Sequence, residues 1–235
     1  MNRLYYGDNL NILRGSRPGL KPIEDESVDL IYLDPPFNSA RNYNLLFKQY
    51  KGQDSPAQIM AFEDTWQWSQ REYDKFRNDE RNQPLWKLVS ALYEILGDSE
   101  MMAYVVMMAP RLLELHRKLK PTGSLYLHCD PVASHYLKII LDVVLGASQF
   151  SNEIIWKRSS AHSDTKQGMR RCGRIHDVIL FYSKSRELTW NPQYTKYRPE
   201  YLDSEYRHEA ETGRHTRKQI RLELNPEATP NTTGV

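Results

Sequence analysis

The sequence predicts a doubly wound α/β fold, and three observations predict it. Apolar runs of strand length alternate with stretches of helical periodicity through the first two-thirds of the chain. One run, residues 28–33, is apolar apart from Asp29, as a strand buried on both faces of a parallel sheet is. It ends on Asp34-Pro35-Pro36, and proline cannot continue a central strand, so the chain leaves the sheet there, at a strand's carboxyl end.

The elements follow in order. Residues 3–6 form a short strand that stops at Gly7-Asp8, and a helix covers 9–14. Pro18, Gly19 and Pro22 mark a loop before the strand at 28–33. Residues 38–98 carry Trp66, Trp68, Tyr73 and Phe76 among many charges and amides, and are expected to be a helical or irregular insertion. A helix over 104–119 lines up Val105, Met108, Leu112, Leu115 and Leu119 on one face, with Pro110 as a kink point. Pro121-Thr122-Gly123 ends it, and 124–128 is a second core strand. An amphipathic helix at 133–145 and strands at 153–157 and 178–182 complete the pattern.

Composition narrows the class. The 235 residues (27.7 kDa) are 40% hydrophobic and 26% charged, enough for one large domain or two small ones. A disulfide-framed miniprotein, a collagen and a coiled coil are excluded. Lys and Arg number 32 against 30 Asp and Glu, so the net charge of +2 announces no nucleic-acid partner. Locally the balance differs: residues 156–186 hold eight Lys or Arg against two acidic residues. Cys129 and Cys172 lie far apart and read as reduced thiols. The longest apolar run, 101–109, is half the length a membrane helix needs, and the first residues lack a signal peptide's apolar core, so a cytoplasmic location is expected. Seven histidines suggest no metal site: His208-Glu209 is not part of an H-E-x-x-H run, and His128-Cys129-Asp130 is too compact to ligate through all three side chains. His128 and Asp130 end a strand on the ligand side and are expected to support the pocket structurally.

The residues that carry chemistry are Asp34, Pro35, Pro36 and Phe37. In an open α/β sheet, ligands bind outside the carboxyl ends of the strands. There Asp34 offers carboxylate acceptors, the prolines offer carbonyls on a stiff backbone, and Phe37 offers an apolar face. This set suits methylation of an exocyclic amine. The lone pair of such an amine is delocalised into its ring. Two acceptors that bind its hydrogens out of the ring plane localise the pair toward an electrophile, and Phe37 can stack on an extruded base. Taken alone, D-P-P reads equally well as a tight turn after a strand.

The context is more specific. Residues 28–38 (VDLIYLDPPFN), preceded by Tyr6-Gly7-Asp8, resemble the amino end of the β-class N6-adenine/N4-cytosine DNA methyltransferases, in which the D-P-P-[YF] motif precedes the cofactor's glycine loop. Residues 119–130 (LKPTGSLYLHCD) and 152–158 (NEIIWKR) resemble that family's following strands, and 176–184 (HDVILFYSK) a segment of its modification-type members. The resemblance covers roughly residues 3–200. It implies a Rossmann-like methyltransferase sheet that uses S-adenosyl-L-methionine, with Asp34, Pro35, Pro36 and Phe37 catalytic. Asp8 would lie near the cofactor's adenine, although capping the helix after it explains Asp8 equally well. The division implied is a catalytic core over 1–157 with the insertion at 38–98, then the start of a target-recognition region over 158–235. Lys157, Arg158, Arg170, Arg171 and Arg174 would contact double-stranded DNA through its phosphates. Tyr194, Tyr197, Tyr201 and Tyr206, with Arg198 and Arg207, extend that surface or form a small helical subdomain.

Asp at position 34 favours adenine N6, because N4-cytosine members more often carry Ser there. The resemblance also implies a restriction subunit as partner, and a homodimer. One departure stands out: no two of the eleven glycines form G-x-G. The expectation is therefore a C-terminally truncated methyltransferase that binds S-adenosylmethionine weakly by itself. The rival reading is a non-catalytic DNA-binding remnant.

Overall fold

The computed structural model describes residues 2–35, 41–45, 59–64, 66–158, 175–193, 196, 198–205, 208–209 and 215–216. The chain divides into a larger unit, Met1–Thr189, and a smaller one, Trp190–Val235.

The larger unit is built on a four-stranded sheet of β1 (Val28–Leu33), β4 (Leu119–Cys129), β5 (Phe150–Lys157) and β6 (His176–Ser183), in the order β1-β4-β6-β5. β1 runs parallel to β4, and β6 runs antiparallel to both β4 and β5. A separate antiparallel pair, β2 (Arg41–Leu45) and β3 (Ile59–Asp64), lies within the segment expected to be an insertion. The helices are α1 (Asn9–Leu13), α2 (Gln70–Asn78), α3 (Gln83–Leu96), α4 (Glu100–Lys118) and α5 (Ala133–Leu141).

The centre of the packing is α4, which α1, α2, α3 and α5 all touch. Ser99 starts it, its Oγ accepting from the Met102 N–H at 3.1 Å, with Glu100 in the first turn and His116, Arg117 and Lys118 in the last. Both ends thus complement the helix dipole. Tyr104, Val105, Ala109 and Leu112 are fully buried on α4, and so are Leu125, Leu127 and Cys129 on β4 and Leu137, Ile140 and Leu141 on α5. The helix continues through Pro110, which is itself buried. Among the buried charges is Glu114 of α4. Glu114 takes the Arg14 Nε at 3.0 Å and an Arg117 nitrogen at 2.8 Å, so the buried carboxylate is paired twice.

Several expectations need correction. Residues 3–6 form no strand. β1 is not buried on both faces: it lies at the edge of the sheet as described, and Leu30 and Tyr32 are 59% and 57% exposed on the same face. An apolar run reports what a strand is able to bury, not what covers it. The insertion holds the helices α2 and α3, within the expectation of a helical segment, but also the strands β2 and β3, which were not expected. Its aromatic residues pack together, with Trp68 stacked on Tyr93 at 5.1 Å and Tyr73 against both. Pro121-Thr122-Gly123 does not separate helix from strand. β4 begins directly after α4, and the tripeptide bulges from it: Val28 pairs with Leu119 while Leu30 pairs with Ser124. Gly123 is needed there, since a Cβ would stand 2.7 Å from Leu119 Cδ1. The helix expected at 133–145 is regular only to Leu141 and ends in a wider turn over Asp142–Gly146.

The smaller unit holds α6 (Pro199–Glu205), which carries Tyr201, and a two-residue pairing of β7 (His208–Glu209) with β8 (His215–Thr216). Tyr194, Tyr197, Tyr206 and Arg207 lie outside the described residues.

Candidate active site

Four polar residues meet at one end of the sheet, one from each strand or the residue after it. Asp34 follows the carboxyl end of β1. Leu33 pairs with Leu127, so Asp34 arrives beside His128 of β4. His128 pairs with Ile179 and Cys129 with Val178, which brings Asp177 of β6 to the same end. Trp156 pairs with Asp177, so Arg158 leaves β5 there as well. Side chains alternate along a strand, and Asp34, His128, Asp177 and Arg158 share one parity across these registers. They form a row on one face of the sheet.

The distances follow the row. His128 Nδ1 lies 3.0 Å from Asp34 Oδ1, and its Nε2 lies 3.4 Å from Asp177 Oδ2. Arg158 Nη1 is 3.3 Å from Asp177 Oδ1. Exposure grades from the middle outward: the Asp177 side chain is 6% exposed and that of His128 16%, whereas Asp34 is 63% exposed and Arg158 54%. Asp34 is therefore a carboxylate open to a ligand but held from behind.

Asp8 lies in a second place, a cleft of about 530 Å³ lined by Trp66, Trp68, Met107, Pro110 and Arg111 among others. Gly7, at φ +132, turns the chain against the Arg17 guanidinium, which donates to the Tyr6 carbonyl. Asp8 Oδ1 then accepts from the Asn11 N–H at 3.0 Å and caps α1, while Oδ2 accepts from Arg111 Nη2 at 2.8 Å. Burial pushes Arg111 below the usual arginine range, and the Asp8 carboxylate opposes that shift.

Of the other residues singled out, Pro35 follows Asp34 within the described chain, and Lys157 is exposed at the end of β5. Pro36, Phe37, Arg170, Arg171 and Arg174 lie outside the described residues. Arg158, expected at DNA, is engaged with Asp177 in this structure. Asp130 caps the approach to α5, its Oδ1 accepting from the Ala133 N–H at 2.8 Å. Cys129 is a buried free thiol that burial pushes up to about 12. Among the described residues no cluster is suited to hold a metal ion, and no helix is long and apolar enough to cross a membrane. Sequence reasoning had set His128 near the pocket but gave no part to Asp177 or Arg111. Their partners lie tens of residues away, and only sheet register and helix packing bring them together.

Comparison with known proteins shows the family. The N6/N4 family model described as DNA methylase matches residues 28–229. The Mod subunit of the type III restriction-modification enzyme StyLTI from Salmonella typhimurium is 28% identical over 185 residues, covering 78% of this chain and 24% of that protein. Type II methyltransferase M.KpnI from Klebsiella pneumoniae is 27% identical over 192 residues, covering 80% of this chain and 34% of the relative. Type II methyltransferase M.EcaI from Enterobacter cloacae is 32% identical over 104 residues, covering 44% and 22%. Among solved structures, the cytosine-N4-specific PvuII DNA methyltransferase aligns with a TM-score of 0.43 at 16% identity, covering 78% of this chain and 49% of that one. The chain thus spans between a fifth and about a third of the length of the curated relatives it matches. With most of its length matched, it belongs to the N6/N4 DNA methylase family, whose DNA methyltransferases use S-adenosyl-L-methionine.

Proposed function

We propose that this chain carries the amine-activating part of a site-specific DNA methyltransferase that methylates adenine N6 in a base turned out of the helix. The observation that supports it most is Asp34: a largely exposed carboxylate at the carboxyl end of β1, followed by Pro35 and backed by His128 at 3.0 Å. An exocyclic amine has two hydrogens to give. Asp34 accepts one and the Pro35 carbonyl is the candidate for the other, which draws the nitrogen toward tetrahedral geometry and frees its lone pair. As the nitrogen gains its methyl it becomes cationic, and the negative Asp34 stabilises that charge until the nitrogen sheds a proton to Asp34 or to water. Phe37 is the candidate to stack on the base.

S-adenosylmethionine supplies a methyl group on a sulfonium, electrophilic without further activation. The residues at the Asp8 cleft fit its nucleoside end. Asp8 spends one contact per oxygen on Asn11 and Arg111 and keeps acceptor capacity for a hydroxyl or an amine, and the indoles of Trp66 and Trp68 offer apolar walls to a purine. A cleft of about 530 Å³ is of the size that small ligands take. Lys157, Arg158, Arg170, Arg171 and Arg174 are proposed to hold double-stranded DNA by its phosphates. A restriction subunit is the proposed partner, since relatives include a subunit named Mod, and a homodimer is proposed from the family resemblance.

Expression of the natural gene in a bacterial strain free of DNA methylation tests the reading. Sequencing that reports modified bases should find N6-methyladenine at one short recognition sequence. N4-methylcytosine would move the target base, and unmodified DNA would favour the non-catalytic remnant.

A further inference from the structure

We propose that His128 is a positioning residue for Asp34, oriented in turn by Asp177, so that three strands aim the carboxylate at its amine. This rests on the amine-methylation reading above and deepens it.

Asp34 needs such help. Its side chain is 63% exposed and stands one residue past the sheet, so left alone it would sample several rotamers. His128 is fixed in β4 between partners on both sides, and its Nδ1 is 3.0 Å from Asp34 Oδ1. A carboxylate only accepts hydrogen bonds, so that nitrogen must carry the hydrogen. The imidazole could still rotate about its own χ2, and Asp177 limits this. Its Oδ2 lies 3.4 Å from Nε2 on the other side of the ring. Asp177 is itself among the most buried carboxylates of the described residues, and Arg158 Nη1 at 3.3 Å balances its charge. With a carboxylate beyond each ring nitrogen, a half-turn of the ring would face both with carbon edges instead.

The row also couples the amine site to the basic segment. Arg158 is the first described residue after β5 and stands next to Lys157, and its guanidinium ends the row that begins at Asp34. A phosphate that drew Arg158 outward would weaken its hold on Asp177 and hence the hold of Asp177 on the ring.

Three substitutions test the positioning role. His128→Leu keeps bulk and removes the donor. His128→Asn restores an N–H near the place of Nδ1. Asp177→Asn keeps volume but presents an amide to Nε2. Nitrogen-15 NMR of the 235-residue chain should show hydrogen on His128 Nδ1, with its signal moving upfield in Asp34→Asn. That readout needs no methylation. In the product of the natural gene, single-turnover methyl transfer should fall about a hundredfold in His128→Leu, with DNA affinity unchanged. His128→Asn should recover most of the loss, and Asp177→Asn should cost about tenfold or more, because an uncharged amide holds the ring less firmly than the carboxylate does. If His128→Leu does not fold, His128→Asn and Asp177→Asn carry the comparison. Wild-type rates in both Leu and Asp177→Asn variants, an Asn variant as slow as Leu, or a bare Nδ1 would overturn the proposal. A wild-type protein that transfers no methyl, while the Nδ1 signal still answers to Asp34→Asn, would instead sink the methyltransferase reading and leave the contact standing.

Discussion

At Cys129 the environment decides reactivity. The thiol has no exposed surface, lies at the end of β4, and is pushed up to about 12 by burial first and by Asp130, Glu153 and Asp177 after it. It stays a thiol at neutral pH, and only the thiolate attacks electrophiles. Peptide mapping after brief alkylation of the native chain should find Cys129 unmodified, and after denaturation fully modified. Gly123 makes the complementary case, where a missing atom matters. Gly123→Ala places a Cβ 2.7 Å from the Leu119 side chain and 3.0 Å from the Lys120 carbonyl, and should cost about 1–3 kcal/mol in urea unfolding.

Among the elements, α4 carries the most. Leu112 is fully buried on it, and Leu112→Ala should cost about 2–5 kcal/mol by the same measurement, through lost burial and a cavity. Its carboxyl end sets an acid sensitivity. Hydrogen bonds from Lys118 first and Arg117 next hold Asp25 below the usual carboxylate range. A lowered folded value means that the unfolded chain binds the proton more tightly. The stabilisation is therefore present above the ordinary carboxylate range and disappears as the pH falls through the lower, folded value. Melting temperatures of wild type and Asp25→Asn should differ at neutral pH and converge in strong acid, whereas a constant difference would show that Asp25 acts through something other than its charge.

For the whole molecule, the alternation of strands and helices was legible because burial imposes a period on each. α4 falls on a stretch of clear helical period, and β1 and β6 fall on apolar runs of strand length. Residues 3–6 show the limit: the stretch has strand length but joins no strand among the described residues, and Leu4 and Tyr6 are 98% and 81% exposed. β2 and β3 were not legible either, since Asn42-Tyr43-Asn44-Leu45 alternates over only four residues and residues 59–62 are a short apolar run amid charges and amides. In the site, Asp34 was legible from its prolines, but its support was not. His128 is 94 residues away and Asp177 further still, and neither belongs to a motif that names the contact. The near-neutral total charge hides the basic segment in the same way. Neutralising Lys157, Arg158, Arg170 and Arg171 together should flatten the salt dependence of DNA binding by about three to four units of log slope. An unchanged slope would place the DNA elsewhere. The absence of G-x-G among the eleven glycines bears on the cofactor. Calorimetry on the 235-residue chain should find S-adenosylmethionine binding weaker than about micromolar, a scale near −8 kcal/mol. Tighter binding would mean that the Asp8 cleft holds it without a glycine turn.

The central claim is that the Asp34 carboxylate activates an amine of DNA. Its most direct test is the natural gene carrying Asp34→Ala, expressed in the methylation-free strain, with nucleosides of the recovered DNA separated and identified by mass. Wild type should yield N6-methyladenine and Asp34→Ala none, with the variant protein folded and still bound to DNA. Methylated adenine persisting at the wild-type level in Asp34→Ala would contradict the account.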